Sequence, residues 1–192
     1  TIYTMINNHP DVKKFNLTSL KACLSGGAPL PVEVKKQFEE LTGCKLVEAY
    51  GLSETSPGAT SNPLYALNKA GSIGIPLPGT EVHIMSVEKK NQEVSQGERG
   101  EICIKGPQVM KGYWKRPEDT QSVFQDDYFR TGDIGYMDED GYIFLVDRIK
   151  DLIICSGYNV YPRVVEEAIY QHQAVEEVTV IGVPDKKQGE SV

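Results

Sequence analysis

The sequence lacks the marks of several common classes of protein. Its apolar runs are only a few residues long, too short for a helix that spans a membrane. Basic residues number 20 against 27 acidic ones and form no stripe, which disfavours nucleic acid and anionic membrane surfaces as partners. The first residues, TIYTMINNHP, lack the charged and then apolar pattern of a signal peptide. Membrane-spanning, nucleic-acid-binding and secreted proteins are therefore not expected.

Cysteine and histidine are also scarce. The four cysteines contain no C-x-x-C pair, and the three histidines are scattered without the spacing of metal ligands. We therefore expect reduced thiols in a cytosolic protein rather than disulfides or zinc. The remaining composition, 40% hydrophobic and 24% charged over 192 residues, is typical of a globular chain with a core of its own. Neither end resembles a natural terminus, so we expect the chain to come from a longer protein.

The first third of the chain alternates strand and helix. Residues 20–25 and 45–50 are predicted as short strands, the first of them buried. Between them, Pro31 favours the first turn of a helix and Gly43 favours its end. A strand, a helix and a strand at this spacing indicate a parallel α/β layer. The helix face predicted to pack on the sheet consists of Val34, Phe38 and Leu41.

Beyond residue 72 the pattern changes to short strands separated by Gly, Pro and Asp turns. The turn DEDG (138–141) suits a hairpin, because Gly141 can adopt a positive φ. We expect a small antiparallel β subdomain here, then a strand after residue 151, a helix at 162–172 and a strand at 175–183. The predicted domains are 1–79 in an α/β part, 80–146 in the β-rich part, 147–151 as a hinge and 152–192 at the start of a second domain.

Two polar loops directly follow the predicted strands of the α/β layer, where open α/β sheets bind ligands. In SGGAPL (25–30), paired glycines let the backbone approach a flat or phosphorylated ligand closely. In EAYGLSETS (48–56), Tyr50 is suited to stack on a base, Ser53 to bind phosphate and Glu54 to ligate Mg²⁺. Taken singly, each stretch is also typical of an ordinary surface loop.

A third stretch, YFRTGDIGYMDEDGYIFLVDR (128–148), carries Asp133 directly after Gly132. An aspartate in a tight turn can accept hydrogen bonds from both hydroxyls of a ribose. The alternative is that Asp133 caps its own turn. Together the three stretches point to a nucleotide site more strongly than any one of them does.

Six stretches, in order, resemble the motifs of the adenylate-forming enzymes, which include acyl-CoA synthetases, luciferases and nonribosomal adenylation domains. The resemblance covers essentially the whole chain, and SGYNVYP favours the fatty-acid–CoA ligases among the members. It implies an α/β and β fold: the end of a large N-terminal domain, followed by the start of a small α+β C-terminal domain. The matching stretches are SGGAPLP, YGLSETSP, GSIGIPLPG, GERGEICIKGPQVMKGYWKRPEDT, YFRTGDIGYMDEDGYIFLVDRIKDLI and SGYNVYPRVVEEAI.

The resemblance implies that ATP activates a fatty acid to acyl-AMP, with release of pyrophosphate, and that the acyl group then passes to coenzyme A. Glu54 would hold Mg²⁺, and Arg148 would contact the ribose or a phosphate. Lys150 would be the hinge about which the C-terminal domain rotates between the two half-reactions. The implied nucleotide site comprises Gly26, Gly27, Ala28, Pro29, Ala49, Tyr50, Gly51, Ser53, Asp133 and Arg148. The implied coenzyme A site comprises Ser156, Gly157 and Tyr158.

Two elements of the resembled family have no match in the sequence: its phosphate loop of the [ST]-G-T-T-G kind and its C-terminal catalytic lysine. We therefore expect the 192 residues alone not to adenylate. Three alternatives stay open: a module that loads a carrier-protein thiol, a luciferase-like oxygenase, and a nucleotide-binding scaffold without turnover. The resemblance implies a cytoplasmic protein, leaves open a homodimer and a peripheral location at a membrane, and does not fix the length of the acyl chain.

Overall fold

The computed structural model describes residues 2–28, 30–89, 91–170, 172, 174–175 and 177–192. No helix in these ranges is long and apolar enough to cross a membrane. The helices there are α1 Ile2–Asn7, α2 Val32–Thr42, α3 Pro117–Val123 and α4 Pro162–Tyr170, with 3₁₀ turns at Val12–Lys14, Ser53–Thr55 and Ile149–Asp151. The strands are β1 Ala22–Ser25, β2 Lys45–Gly51, β3 Gly58–Ser61, β4 Ile75–Pro76, β5 Glu81–Met85, β6 Gly100–Lys105, β7 Phe124–Gln125, β8 Tyr128–Met137, β9 Ile143–Arg148, β10 Ile153–Cys155, β11 Tyr158–Val160, β12 Val183–Asp185 and β13 Gly189–Ser191.

The first sheet has the strand order β1-β2-β3-β4, and its β1 and β2 are parallel, which confirms the predicted α/β layer. Helix α2 connects them and ends at Gly43, whose φ of 67° is the left-handed conformation that suits glycine. Of the predicted face of α2, Phe38 is buried and Val34 and Leu41 are half-buried, while Lys35 and Thr42 are buried as well. Lys35 is buried where it forms an ion pair with Glu48 of β2.

Strand β1 is also less buried than predicted. Its burial alternates between exposed and half-buried positions, and Leu24 is 59% exposed. The reason is its place in the sheet, because within the described residues β1 pairs with β2 alone. The prediction of a strand is confirmed, and the prediction of burial is wrong.

The second sheet is antiparallel, with the order β5-β6-β8-β7 and with β9 paired to β8, as the predicted β subdomain requires. Gly141, at φ 81°, closes the predicted hairpin between β8 and β9. Burying one large aliphatic side chain contributes about 1.5–3 kcal/mol, so the isoleucines of this sheet dominate the core. The buried cluster comprises Ala59, Val82, Ile84, Ile102, Ile104 and Ile143.

A short backbone contact joins the first sheet to the second. The N–H of Ile143 donates to the carbonyl oxygen of Gly74 at 2.9 Å, and the N–H of Ile73 donates to that of Ile143 at 2.8 Å. Gly74 is required here, since a Cβ would lie 2.0 Å from the carbonyl carbon of Ser61 and its φ is 85°. The contact ties the segment before β4 to the start of β9.

The third sheet has the order β11-β10-β13-β12. Ser156 and Gly157 join β10 to β11 with φ values of 53° and 82°, the signs that a two-residue type I′ hairpin needs. The prediction of a strand at 175–183 is wrong, because residues 177–182 form no strand and β12 begins only at Val183. In that segment the N–H of Val180 donates to Oε1 of Glu166 at 2.8 Å, a side-chain contact in place of a strand partner.

Candidate nucleotide-binding site

Tyr50 lies near the end of β2, where the chain leaves the first sheet. The chain turns back at Gly51, where a Cβ would lie 1.6 Å from the carbonyl oxygen of Pro57. The fully buried Thr55 holds this loop. Its hydroxyl donates to the carbonyl oxygen of Pro57 at 2.6 Å and accepts from the N–H of Leu52 at 2.9 Å. These contacts hold the loop that directly follows Tyr50.

Asp133 approaches the same place from the second sheet. It lies within β8 rather than in the predicted tight turn, at a bulge opposite β6 where Gly132 has a φ of 74°. The N–H of Asp133 donates to Oγ1 of Thr131 at 3.1 Å, and that hydroxyl donates to the carbonyl oxygen of Ile102 at 2.8 Å. Bulges redirect side chains within a strand. Here the bulge contains Asp133, a residue that is only 4% exposed.

Tyr50, Asp133 and Arg148 meet at one point. The Tyr50 hydroxyl donates to Oδ2 of Asp133 at 2.6 Å, and Nε of Arg148, the cross-strand partner of Asp133, lies 3.3 Å from Oδ1. Burial raises the pKa of the Tyr50 phenol well above its ordinary value, and the Asp133 carboxylate raises it further. The phenol therefore stays protonated and donates. A carboxylate has about four acceptor positions, so Asp133 keeps acceptor capacity for a ligand.

Glu54 lies in the 3₁₀ turn after β2, and its Oε1 accepts a hydrogen bond from the Tyr113 hydroxyl at 2.9 Å. Its carbonyl oxygen accepts from the N–H of Met110 at 2.7 Å. The described residues contain no group of three or more His, Cys, Asp or Glu that could hold a metal ion by itself. Mg²⁺ is typically held by one or two carboxylates together with substrate phosphates and water. A single carboxylate such as Glu54 fits that mode of binding.

A cavity of about 700 Å³ opens between the first sheet and the elements that follow β9. Its size is in the usual range for small-molecule sites. The predicted residues that line it are Gly27, Ala28, Ala49, Tyr50, Gly51, Asp133, Arg148 and Lys150.

The other predicted residues lie elsewhere. Gly26 packs on β2, where a Cβ would lie 3.2 Å from the carbonyl oxygen of Ala49, and Pro29 lies outside the described residues. Ser53 is exposed in its 3₁₀ turn and, like Glu54, is not among the residues that line the cavity. The hairpin residues Ser156, Gly157 and Tyr158 are exposed and do not line it either.

Sequence reasoning missed the contacts made by Asp147. Its Oδ2 accepts from the N–H of Arg163, in the first turn of α4, at 3.1 Å, and its Oδ1 accepts from the N–H of Arg148 at 2.8 Å. An acceptor at a helix N-terminus satisfies a free N–H group, so Asp147 ties α4 to the end of β9. The signal in the sequence was weak, because the capping residue lies 16 positions from the residue it caps.

Two family profiles match the chain. One, described as AMP-binding enzyme, matches residues 1–114, and the other, described as AMP-binding enzyme C-terminal domain, matches residues 164–192. The chain belongs to the AMP-binding enzyme family. The boundary predicted at 147–151 lies between the two matches and stays a prediction.

Relatives within the AMP-binding enzymes include a long-chain-fatty-acid–CoA ligase of Bacillus subtilis, 54% identical over all of this chain and 34% of its own length. Among solved structures, ATP-bound MatB from Rhodopseudomonas palustris is 35% identical with a TM-score of 0.82, over 98% of this chain and 41% of that one. The o-succinylbenzoate CoA synthetase MenE of Bacillus subtilis, solved with an acyl-adenylate, is 35% identical with a TM-score of 0.81, over 98% and 38%. The chain thus spans about one third of the length of the curated relatives it matches.

Proposed function

We propose that the full-length protein is an AMP-forming fatty-acid–CoA ligase. The observation that carries the proposal is the contact of Tyr50 and Arg148 with the buried carboxylate of Asp133 beside the cavity. An aromatic face, a carboxylate and an arginine are the groups that a base, a ribose and a phosphate need. The relative that is 54% identical and named a long-chain-fatty-acid–CoA ligase supports a fatty acid and coenzyme A as the other substrates.

In this site the ring of Tyr50 packs against the adenine, while its hydroxyl keeps the carboxylate of Asp133 oriented. The remaining acceptor positions of Asp133 bind the two ribose hydroxyls. Arg148 supplies positive charge near the α-phosphate. Gly27 and Ala28, which also line the cavity, leave room for the ligand because their side chains are minimal.

The first half-reaction joins an oxygen of the fatty-acid carboxylate to the α-phosphorus, and the bond to pyrophosphate breaks. In the second, the sulfur of coenzyme A attacks the acyl carbonyl, and AMP leaves. Two anions meet in the first step, so cationic groups must neutralise the developing charge. Glu54, held by Tyr113, is the residue that would ligate Mg²⁺, and the ion would supply part of that neutralisation.

Coenzyme A requires a second arrangement of the site. The hairpin Ser156–Gly157, with Tyr158, is the proposed coenzyme A site, and it lies outside the lining of the cavity. Rotation about Lys150, in the 3₁₀ turn Ile149–Asp151, would carry this hairpin toward the acyl-adenylate. Lys150 suits a hinge because it is exposed, so its side chain stays solvated when the backbone changes.

The test is ATP–pyrophosphate exchange by the full-length protein with a panel of fatty acids from medium to long chain, followed by assay of acyl-CoA. We expect exchange that depends on the fatty acid, and thioester formation when coenzyme A is added. Exchange without a thioester, or a thioester on a carrier protein only, would contradict the ligase assignment. The same preparation tests one further part of the proposal, since activity should be lost with EDTA. Light scattering on it decides between a monomer and a homodimer.

A further inference from the structure

A buried ion pair lies behind one wall of the cavity. Nζ of Lys35, in α2, is 3.0 Å from Oε2 of Glu48, in β2, and the two side chains are only 8% and 10% exposed. Glu48 lines the cavity and Lys35 does not, so the lysine reaches the carboxylate from the side away from the ligand. Charged residues are rarely buried to this degree, and they are costly to bury without a partner.

The same two side chains hold the loop that forms the adjoining part of the wall. Nζ of Lys35 donates to Oδ1 of Asn68 at 2.6 Å, and the N–H of Gly71 donates to Oε1 of Glu48 at 3.3 Å. Gly71 and, two residues later, Ile73 line the cavity. The pair therefore connects α2, β2 and the loop 68–71, three segments that are remote from one another in sequence.

The charge of Glu48 matters because the cavity is already rich in acid. Its lining includes six carboxylates and three cationic side chains. A nucleotide that carries phosphates is itself anionic, so each unpaired carboxylate in the wall would repel it. The carboxylates are Glu48, Asp133, Asp147, Asp151, Glu166 and Glu190, and the cations are Arg148, Lys150 and Arg163.

We propose that Lys35 is a positioning residue of the nucleotide site, which neutralises Glu48 and fixes the Asn68–Gly71 loop so that the wall accepts an anionic ligand. The proposal rests on the function proposed above, because it takes the ligand to be a nucleotide. Lys35 touches no ligand itself and acts through Glu48 and the loop.

The first test is the Kd of ATP for the full-length protein, measured by calorimetry. Lys35→Met removes the cation, and we expect Kd to rise about tenfold, the effect of one added like charge in a partly desolvated wall. Lys36→Met is the matched control, because Lys36 is the exposed neighbour on the same helix. The control should leave Kd unchanged, and an unchanged Kd in Lys35→Met would overturn the proposal.

A second pair of variants separates charge from packing. In Lys35→Met/Glu48→Gln no unpaired carboxylate remains, so Kd should return to within about threefold of the wild-type value. Glu48→Gln alone keeps an acceptor for the Gly71 N–H and should not weaken ATP binding. If Lys35→Met does not fold, the double variant is compared with Glu48→Gln: it should bind ATP about threefold more weakly, because Lys35 no longer holds Asn68. Equal Kd values for these two variants, or a tenfold loss in Glu48→Gln, contradict the proposal.

Hydrogen exchange at the amide of Gly71 gives a readout that needs no nucleotide. Exchange there should be faster in Lys35→Met than in the wild type, and unchanged in Lys36→Met. If wild-type protein binds no ATP, the proposed function fails, whereas the exchange result still shows whether Lys35 holds the loop. If wild-type protein binds ATP and Lys35→Met binds it equally well, only the present inference fails.

Discussion

Asp133→Asn should weaken nucleotide binding through the ribose. Asn keeps the shape of the side chain but removes its charge and one of its two acceptor oxygens, so the charge-assisted hydrogen bonds from the two ribose hydroxyls become neutral ones at best. A hydrogen bond to a charged group contributes about 1.5–3 kcal/mol and a neutral one about 0.5–1.5 kcal/mol. Two such bonds give a loss of about 2–3 kcal/mol, or roughly 30- to 150-fold in Kd. The ion pair with Arg148 adds little, because that side chain is 58% exposed and surface pairs contribute about 0–1 kcal/mol.

The assay is calorimetric titration of the full-length protein with a non-hydrolysable acyl-AMP mimic and with its 2′,3′-dideoxy counterpart. Wild-type protein should bind the dideoxy compound much more weakly than the ribose compound. Asp133→Asn should discriminate between the two compounds roughly 30- to 150-fold less strongly than the wild type, because the interaction they report on is already weakened.

The control for this prediction is Asp127→Asn, which changes an aspartate whose side chain is 80% exposed and should bind both compounds as the wild type does. If Asp133→Asn discriminates between the two compounds as strongly as the wild type, Asp133 does not bind the ribose. That outcome would refute the reasoning even if total affinity falls.

Three further changes test other parts of the account. Lys150→Pro, which fixes φ at about −65°, should slow thioester formation more than adenylation, and Lys150→Ala should not; equal losses in both half-reactions count against the hinge. Glu54→Gln should raise the Mg²⁺ concentration needed for half-maximal adenylation by about tenfold, while an unchanged requirement would remove Glu54 as a ligand. Gly74→Ala should lower thermal stability far more than Gly79→Ala, because an added Cβ meets the Ser61 backbone at 2.0 Å in the first case and open space in the second. The second change should cost about 1 kcal/mol, and equal melting temperatures for the two variants would contradict the close contact.

The sequence predicted the local features of the site, because these depend on neighbouring residues. Tyr50 lies near the end of a strand, and Asp133 follows a glycine that takes a positive φ. The hydrogen bond between them was beyond sequence reasoning, since it joins residues 83 positions apart that lie in two different sheets.

Lys35 shows a different limit, because the apolar spacing that predicted the face Val34, Phe38 and Leu41 says nothing of a buried charge. Lysine is usually solvent-exposed, and Lys35 is an exception to that rule. The acidic partner on β2, which pairs with the buried Lys35, is visible in the structure alone. The loop at 177–182 is similar, because its apolar pattern favours a strand while Glu166 binds its backbone.

The most direct test of the central claim is a crystal structure of the full-length protein with a fatty acyl-AMP mimic. We predict ribose hydroxyls within hydrogen-bond distance of the Asp133 carboxylate and adenine packed on the ring of Tyr50. A nucleotide bound away from both residues would contradict the account.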